Sequence, residues 1–348
     1  MNDMYLEYIP DRYGVFRKEY PNLSFCRVTL QEKGLYQVIS SEGAHQARVS
    51  GKFQYDAKTV SDYPAVGDYV MADLNDTDTA IIHTLLPRKS VFLRKAAGSG
   101  NIEQVVAANV DTVFLCMALN NDFNLRRLER YLSVAWDSGA TPVVLLTKAD
   151  LCLDLTAKLP LVEGVAAGAD IITVSALEWD GCQSITPYLL KGKTLAFVGS
   201  SGVGKSTLIN TLLGEDRQKT NDLRGDGKGR HTTTHRELII LPGGVMVIDT
   251  PGMRELGMWD VGEGLSTAFA DIEALAEKCR FRDCTHQTEP HCAVRAALER
   301  GELSEARLLS YRKLRAENAY FEDDENYLAA KEKKFKKIAR LNRANQKK

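Results

Sequence analysis

The stretch LAFVGSSGVGKST at 195–207 constrains the fold more than any other part of the chain. Its apolar start fits a buried strand and the LINTLLG that follows fits a helix, so the glycine loop between them is a strand-to-helix turn. Gly199, Gly202 and Gly204 let such a loop curl without Cβ clashes, which turns its backbone N–H groups toward one point. A helix starting near Lys205 aims the positive end of its dipole at the same point. A loop built this way holds phosphate oxygens. The expected phosphate-binding set is Gly199, Ser200, Ser201, Gly202, Val203, Gly204, Lys205, Ser206 and Thr207, with Lys205 reaching the β- and γ-phosphates and Ser206 ligating Mg²⁺.

Downstream, VMVIDTPG at 245–252 reads as a strand ending in Asp249, placed to hold the same Mg²⁺ through water, with the Gly252 amide free to meet a γ-phosphate. Between the two motifs, RGDGKGRHTTT at 224–234 is glycine-rich and basic; Thr233 and Thr234 are its candidates for closing on Mg²⁺ and the γ-phosphate, and three threonines in a row leave the choice open. A base reader is absent downstream of the phosphate loop and present upstream of it. PVVLLTKAD at 142–150 gives a strand followed by Thr147, Lys148, Ala149 and Asp150. Asp150 can accept from the two adjacent guanine donors, which adenine does not present, while Lys148 can lay its stem along the ring. Ser175, Ala176 and Leu177 then end another strand, where a backbone contact to the guanine oxygen is expected. The order is therefore base reader, base support, phosphate loop, switch loop, DTPG. Joining old termini and opening a new break preserves such a site, because all these motifs belong at the C-terminal edge of one sheet.

Strand signals with helical runs between them, at Thr112–Ala118, Pro142–Thr147, Ile171–Ser175, Thr194–Gly199, Glu237–Leu241 and Val245–Asp249, predict a mainly parallel α/β sheet. Before it, five short β-rich runs between Phe25 and about Leu93 predict a small OB-type barrel, and 95–104 reads as a linker. After about Val261 the strands stop and helical runs flank a compact Cys/His segment. The expected division is 1–94, a barrel with its N-terminal segment; 95–260, the permuted nucleotide domain; and 261–348, a helical metal-binding unit with a basic tail.

Seven cysteines are an odd number, and Cys279, Cys284 and Cys292 crowd together, which argues against a disulfide framework. With His286 they make three thiolates and one imidazole, a closed tetrahedral zinc set with no position for a catalytic water; His291 is the alternative imidazole. Net charge is −1, yet 331–348 carries nine Lys and Arg against Glu332 alone, so charge asymmetry is the useful signal. No long uncharged apolar run and no basic-then-apolar start appear, which places the chain in the cytoplasm without a membrane partner.

The permuted order, the GRHTTT segment, the preceding barrel and the following Cys/His unit together resemble the RsgA/YjeQ small-subunit-dependent GTPases over nearly the whole chain. The resemblance implies an OB-fold, a circularly permuted P-loop GTPase domain and a zinc-binding domain with Cys279, Cys284, His286 and Cys292 as ligands, acting in late maturation of the small ribosomal subunit. It implies GTP and GDP, Mg²⁺ and one structural Zn²⁺, with the subunit and its rRNA as partners of a monomer. Thr147 departs from the family's usual Asn. Met253 stands directly after the DTPG glycine, where the best-known GTPases carry a water-orienting Gln. Intrinsic turnover is then expected to be slow, and His231 in the switch loop is the candidate for positioning the water once the partner orders that loop. The alternative reading is a nucleotide-gated RNA-binding module with little hydrolysis.

Overall fold

The computed structural model describes residues 9–32, 34–74, 79–95, 103–175, 179–214, 236–249 and 262–319. Five strands, β1 (Ser24–Glu32), β2 (Leu35–Ser40), β3 (Gly43–Val49), β4 (Tyr69–Asp73) and β5 (Ala80–Leu85), form the N-terminal unit. They join in the order β1–β2–β3–β5–β4, and β4 pairs back onto β1, so the sheet closes into a barrel. The long β1 closes it by using its first half against β4, Ser24↔Ala72 to Arg27↔Tyr69, and its remainder against β2, with a register shift between Val28 and Leu30. Closure removes free edges. The parallel β3–β5 pair is reached through the helix Gly51–Asp56, capped by the Ser50 hydroxyl accepting from the Phe53 amide.

The expected linker at 95–104 is strand at both ends: β6 (Val91–Lys95) pairs antiparallel with β7 (Glu103–Ala108), in register Lys95↔Glu103. Alternation there is too short to read, because glycine and alanine dominate the connection.

The nucleotide sheet holds β8 (Thr112–Ala118), β9 (Thr141–Thr147), β10 (Asp170–Thr173), β11 (Thr194–Val198), β12 (Arg236–Ile240) and β13 (Met246–Asp249) in the order β10–β9–β8–β11–β13–β12. All neighbours are parallel except β12, which runs antiparallel to β13. Both faces are covered, and the period of two sorts β8 accordingly. Phe114, Cys116 and Ala118 enter one apolar layer with Phe197 and Leu208, while Val113, Leu115 and Met117 enter the other with Leu128 and Leu132. Each buried Val, Leu, Phe or Met side chain among them contributes on the order of 1.5–3 kcal/mol.

The C-terminal unit is helical, with Gly262–Ala268, Ala270–Ala276, Ala293–Glu299 and a helix over 305–319. It docks on the helix Leu125–Asp137, whose start is capped by Asn124. Gly264 lies so close to it that a Cβ there would stand 2.1 Å from the Ser133 carbonyl oxygen. Arg307 locks the contact: it donates to Asp271 at 2.7 Å and to Glu129, fully buried on the Leu125–Asp137 helix, at 3.1 Å.

The barrel also meets the sheet. Strand β1 pairs with β12 at Leu30↔Glu237 and Gln31↔Arg236. Beside this seam the fully buried Arg27 guanidinium donates to Thr194 Oγ1 at 2.7 Å and to Met246 Sδ at 2.9 Å, and it lies over the Tyr69 ring.

Candidate nucleotide and metal sites

Because β9, β8 and β11 are parallel neighbours, the turns that follow them share one edge of the sheet. The turn after β11 is the glycine loop. A Cβ on Gly199 would stand 2.6 Å from the Cys116 carbonyl oxygen, so only glycine lets the loop leave the sheet this close to β8. Gly204, at φ +106°, is the cap from which the helix Lys205–Leu213 starts. Lys205 is buried, and its Nζ donates to the carbonyls of Gly199 and Ser200, both at 2.6 Å, so the ammonium is folded into the mouth of the loop. Beneath it burial pushes the Cys116 thiol up to about 12, which makes that cysteine a packing residue.

The turn after β9 comes to the same place. Thr147, 1% exposed, donates its hydroxyl to the Val203 carbonyl of the glycine loop at 2.6 Å, tying the turn after β9 to the glycine loop across the intervening β8. Lys148 adopts the left-handed conformation, φ +58°, and turns the chain into the Ala149–Leu151 turn that carries Asp150. The exposed Asp150 carboxylate is steadied on one oxygen by the Ser175 hydroxyl, which donates at 2.8 Å, while Ala149 N donates to Val174 O at 3.3 Å. Lys148, Asp150, Ser175 and the loop 199–207 are thus brought to one edge. Asp249 ends β13, three strands from β9 on the far side of β8 and β11, at that same edge. Ala176, His231, Thr233, Thr234, Gly252 and Met253 lie outside the described residues.

One residue at this edge escapes sequence reasoning. Asp122, in the turn after β8, accepts the Ser200 hydroxyl on one oxygen and the Arg127 guanidinium at 2.7 Å on the other. Burial raises its carboxyl, but the Ser200 and Arg127 hydrogen bonds outweigh that and hold it below the ordinary carboxylate value. The signal was there: Asn120, Asn121 and Asp122 are a polar cluster directly after a buried strand of the same sheet.

In the C-terminal unit the Cys279, Cys284 and Cys292 sulfurs and a ring nitrogen of His286 all lie within 4.8 Å of one another. Cys279 Sγ is 3.8 Å from Cys292 Sγ, and His286 Nδ1 is 3.6 and 3.4 Å from those two sulfurs. A zinc tetrahedron with Zn–S of about 2.3 Å and Zn–N of about 2.0–2.1 Å has S···S edges of about 3.8 Å and S···N edges of about 3.5 Å, so the donor set fits that ion. His291 is exposed and stands outside the cluster, which decides between the two imidazoles. Burial pushes the Cys284 thiol up to about 11, whereas the Val294 and Ala293 amides outweigh burial at Cys279 and lower it. Burial first, then Arg315 and Arg312, lower the His286 imidazole and favour its neutral, ligating form.

A glycine loop on a central parallel strand, preceded in the chain by the strand that carries the base-reading turn, defines a circularly permuted P-loop GTPase. The RsgA GTPase family model matches residues 85–259. The small ribosomal subunit biogenesis GTPase RsgA 2 of Lactiplantibacillus plantarum is 52% identical over 295 residues, covering 84% of this chain and 83% of its own. That of Vibrio vulnificus is 43% identical over 327 residues, covering 94% and 89%. Among solved structures, YjeQ from Thermotoga maritima superposes with a TM-score of 0.64 at 28% identity, covering 85% of this chain and 99% of its own. YloQ, described as a circularly permuted GTPase, gives 0.62 at 26%, covering 85% and 95%. This chain belongs to the RsgA GTPase family.

Proposed function

We propose that the chain binds the small ribosomal subunit through its rRNA, acts late in that subunit's maturation, and hydrolyses GTP to GDP and phosphate under stimulation by the subunit. The Thr147–Val203 hydrogen bond carries this reading, because it joins base reader and phosphate loop into a cleft that one guanosine triphosphate can span. In it Asp150 accepts from the guanine N1–H and exocyclic amine, Lys148 flanks the ring, and Ser175 and Ala176 support the base. Residues 199–207 cradle the phosphates, and Lys205 exchanges its contacts with the Gly199 and Ser200 carbonyls for phosphate oxygens. Ser206, Thr234 and Asp249 would hold Mg²⁺, which neutralises charge on the β- and γ-phosphates, and Thr233 and Gly252 close on the γ-phosphate. Cys279, Cys284, His286 and Cys292 hold a structural zinc, supported by donor spacing that matches a tetrahedron. The barrel and the basic residues of 331–348 supply the RNA contact, mostly to phosphate and therefore salt-dependent. The factor works as a cytoplasmic monomer; among the described residues no helix is long and apolar enough to cross a membrane.

Met253 in place of a water-orienting Gln favours a second reading, a nucleotide-gated RNA-binding module that hydrolyses little. One experiment separates the two: phosphate release from GTP with and without small ribosomal subunits, ATP as competitor, and His231→Ala alongside. The proposal expects slow basal release, a large rise with subunits, indifference to ATP and loss of the rise in His231→Ala. No rise in the native chain would leave the gated module standing, and an intact rise in the variant would remove His231 from the mechanism.

A further inference from the structure

Beside the Cys/His cluster, between the 286–287 turn and the helices Ala293–Glu299 and 305–319, lies a cavity of ≈ 510 Å³. Its polar wall is made by His286, Gln287, Arg295 and Arg312, and its floor is apolar, with Leu298 and Leu308. Two of those wall residues hold buried nitrogens that have no hydrogen-bond partner, His286 Nε2 and Arg312 Nε. Both are donors. With Nδ1 turned toward the sulfurs, 3.4 Å from Cys292 Sγ, the neutral imidazole that ligates through Nδ1 carries its proton on Nε2. A guanidinium is always protonated. Another Arg312 nitrogen donates to the His286 carbonyl, so guanidinium and imidazole are fixed relative to each other.

Buried donors without acceptors destabilise the chain, and such groups persist where a ligand supplies the acceptor. Arg295 adds a second guanidinium, held loosely by Glu299 at 4.0 Å, and Gln287 adds an amide. The one acid on the wall, Glu305, is exposed and able to turn into water. Two guanidiniums, an imidazole N–H and an amide on one side of a cavity present donors with almost no acceptors. A tetrahedral anion with oxygens on every side satisfies them, and guanidinium forks match phosphate oxygens bidentately.

We propose that this cavity is a phosphate-binding site, in which Arg295 and Arg312 grip the oxygens, His286 Nε2–H donates a further bond, and the leucine floor accepts the sugar or base attached to that phosphate. The proposal rests on the RNA-partner reading above only for the source of the phosphate. It also gives the zinc cluster a second consequence: the metal fixes the tautomer of the imidazole that faces the ligand.

The test uses the full zinc-loaded chain with a non-hydrolysable GTP analogue saturating the P-loop, so that inorganic phosphate added later finds no vacant γ-phosphate position there. The Arg Nε–H resonances are followed while inorganic phosphate, and separately a short single-stranded RNA, are titrated in. The Arg312 Nε–H signal is expected to shift with either probe, and Arg295→Gln and Arg312→Gln each to weaken binding about tenfold or more. Zinc content of one per chain in both variants shows that the unit has folded. RNA saturating far below inorganic phosphate identifies an RNA backbone as the source; equal or tighter inorganic phosphate identifies a free anion, and both agree with the site. An Arg312 signal unmoved by both probes, or moved only by an acidic peptide, overturns the proposal. Subunit-stimulated GTP hydrolysis of the native chain, measured in parallel, reports on the proposed function independently of this outcome.

Discussion

Thr147→Val isolates one hydroxyl. The two side chains are nearly isosteric, Thr147 is 1% exposed, and its oxygen donates to the Val203 carbonyl at 2.6 Å, itself on a residue 1% exposed. Packing is therefore kept while a buried carbonyl loses a partner, a change of about 1–3 kcal/mol. Free of nucleotide, the glycine loop can shift to hydrate that carbonyl. With phosphates bound it cannot, because the same backbone must hold their oxygens. Most of the loss then falls on the bound state, and GDP affinity is expected to drop by between about fivefold and 150-fold, at 1.4 kcal/mol per tenfold. Titration with a fluorescent GDP measures it, with thermal melting of the nucleotide-free chain beside it. Preference for GDP over IDP, which lacks the exocyclic amine, is expected to stay, because Asp150 is the residue proposed to make that contact. Thr147→Ser keeps the donor and is expected to keep affinity. Unchanged GDP affinity in Thr147→Val would refute the reasoning, and a lowered melting point with unchanged affinity would assign the bond to the fold alone.

Asp150→Asn replaces two acceptor oxygens by one acceptor and one donor, so GDP affinity is expected to fall by about tenfold or more while XDP, which offers an acceptor where guanine has its amine, gains; titration with both nucleotides checks this. Arg307→Met is expected to loosen the C-terminal unit by about 3 kcal/mol, the lower end for a broken buried pair, because Arg126 still holds Glu129 at 2.8 Å; proteolysis between the units reads it. Chelating the metal is expected to release one zinc per chain and unfold residues 279–292 while leaving GDP affinity within about twofold, since the phosphate loop lies in another unit. For Asp122 the folded carboxyl is held below its unfolded value, so its contribution is present above about pH 4 and is lost as pH falls through the folded value. Melting of Asp122→Asn against the native chain across that range is expected to converge at the acid end.

What the sequence made legible follows from local chemistry. Strand β8 came out at Thr112–Ala118, the span expected, because a strand buried on both faces must be apolar throughout and the asparagines and aspartate at 120–122 stop the run. The Cys/His set was equally readable, since ligand types and spacings are a local property. The β6–β7 hairpin was hidden by its own connection, whose alanines and glycines carry no alternation. Asp122 and Arg307 were hidden for a different reason. Each acts on a partner far away in the chain, Ser200 in one case and Glu129 in the other, and nothing in the neighbouring residues records which partner that is.

The same distance in sequence explains why the three units need not be independent. In this permuted order the segment 224–234 runs directly into β12, and β12 is the strand that pairs with barrel strand β1, at Leu30↔Glu237 and Gln31↔Arg236. A barrel strand thus fixes the downstream root of that segment. Arg27 repeats the link at the other ends of the strands, binding Thr194 at the start of β11 and Met246 at the start of β13. On the opposite flank, the chain that leaves DTPG enters the helix Gly262–Ala268, pressed on Leu125–Asp137 through Gly264. The described elements next in sequence to both segments, β12 and the helix Gly262–Ala268, therefore contact or belong to units proposed to bind RNA. Backbone pairing on one side and a close helix contact on the other are the described links through which RNA bound to those units would bear on the two segments.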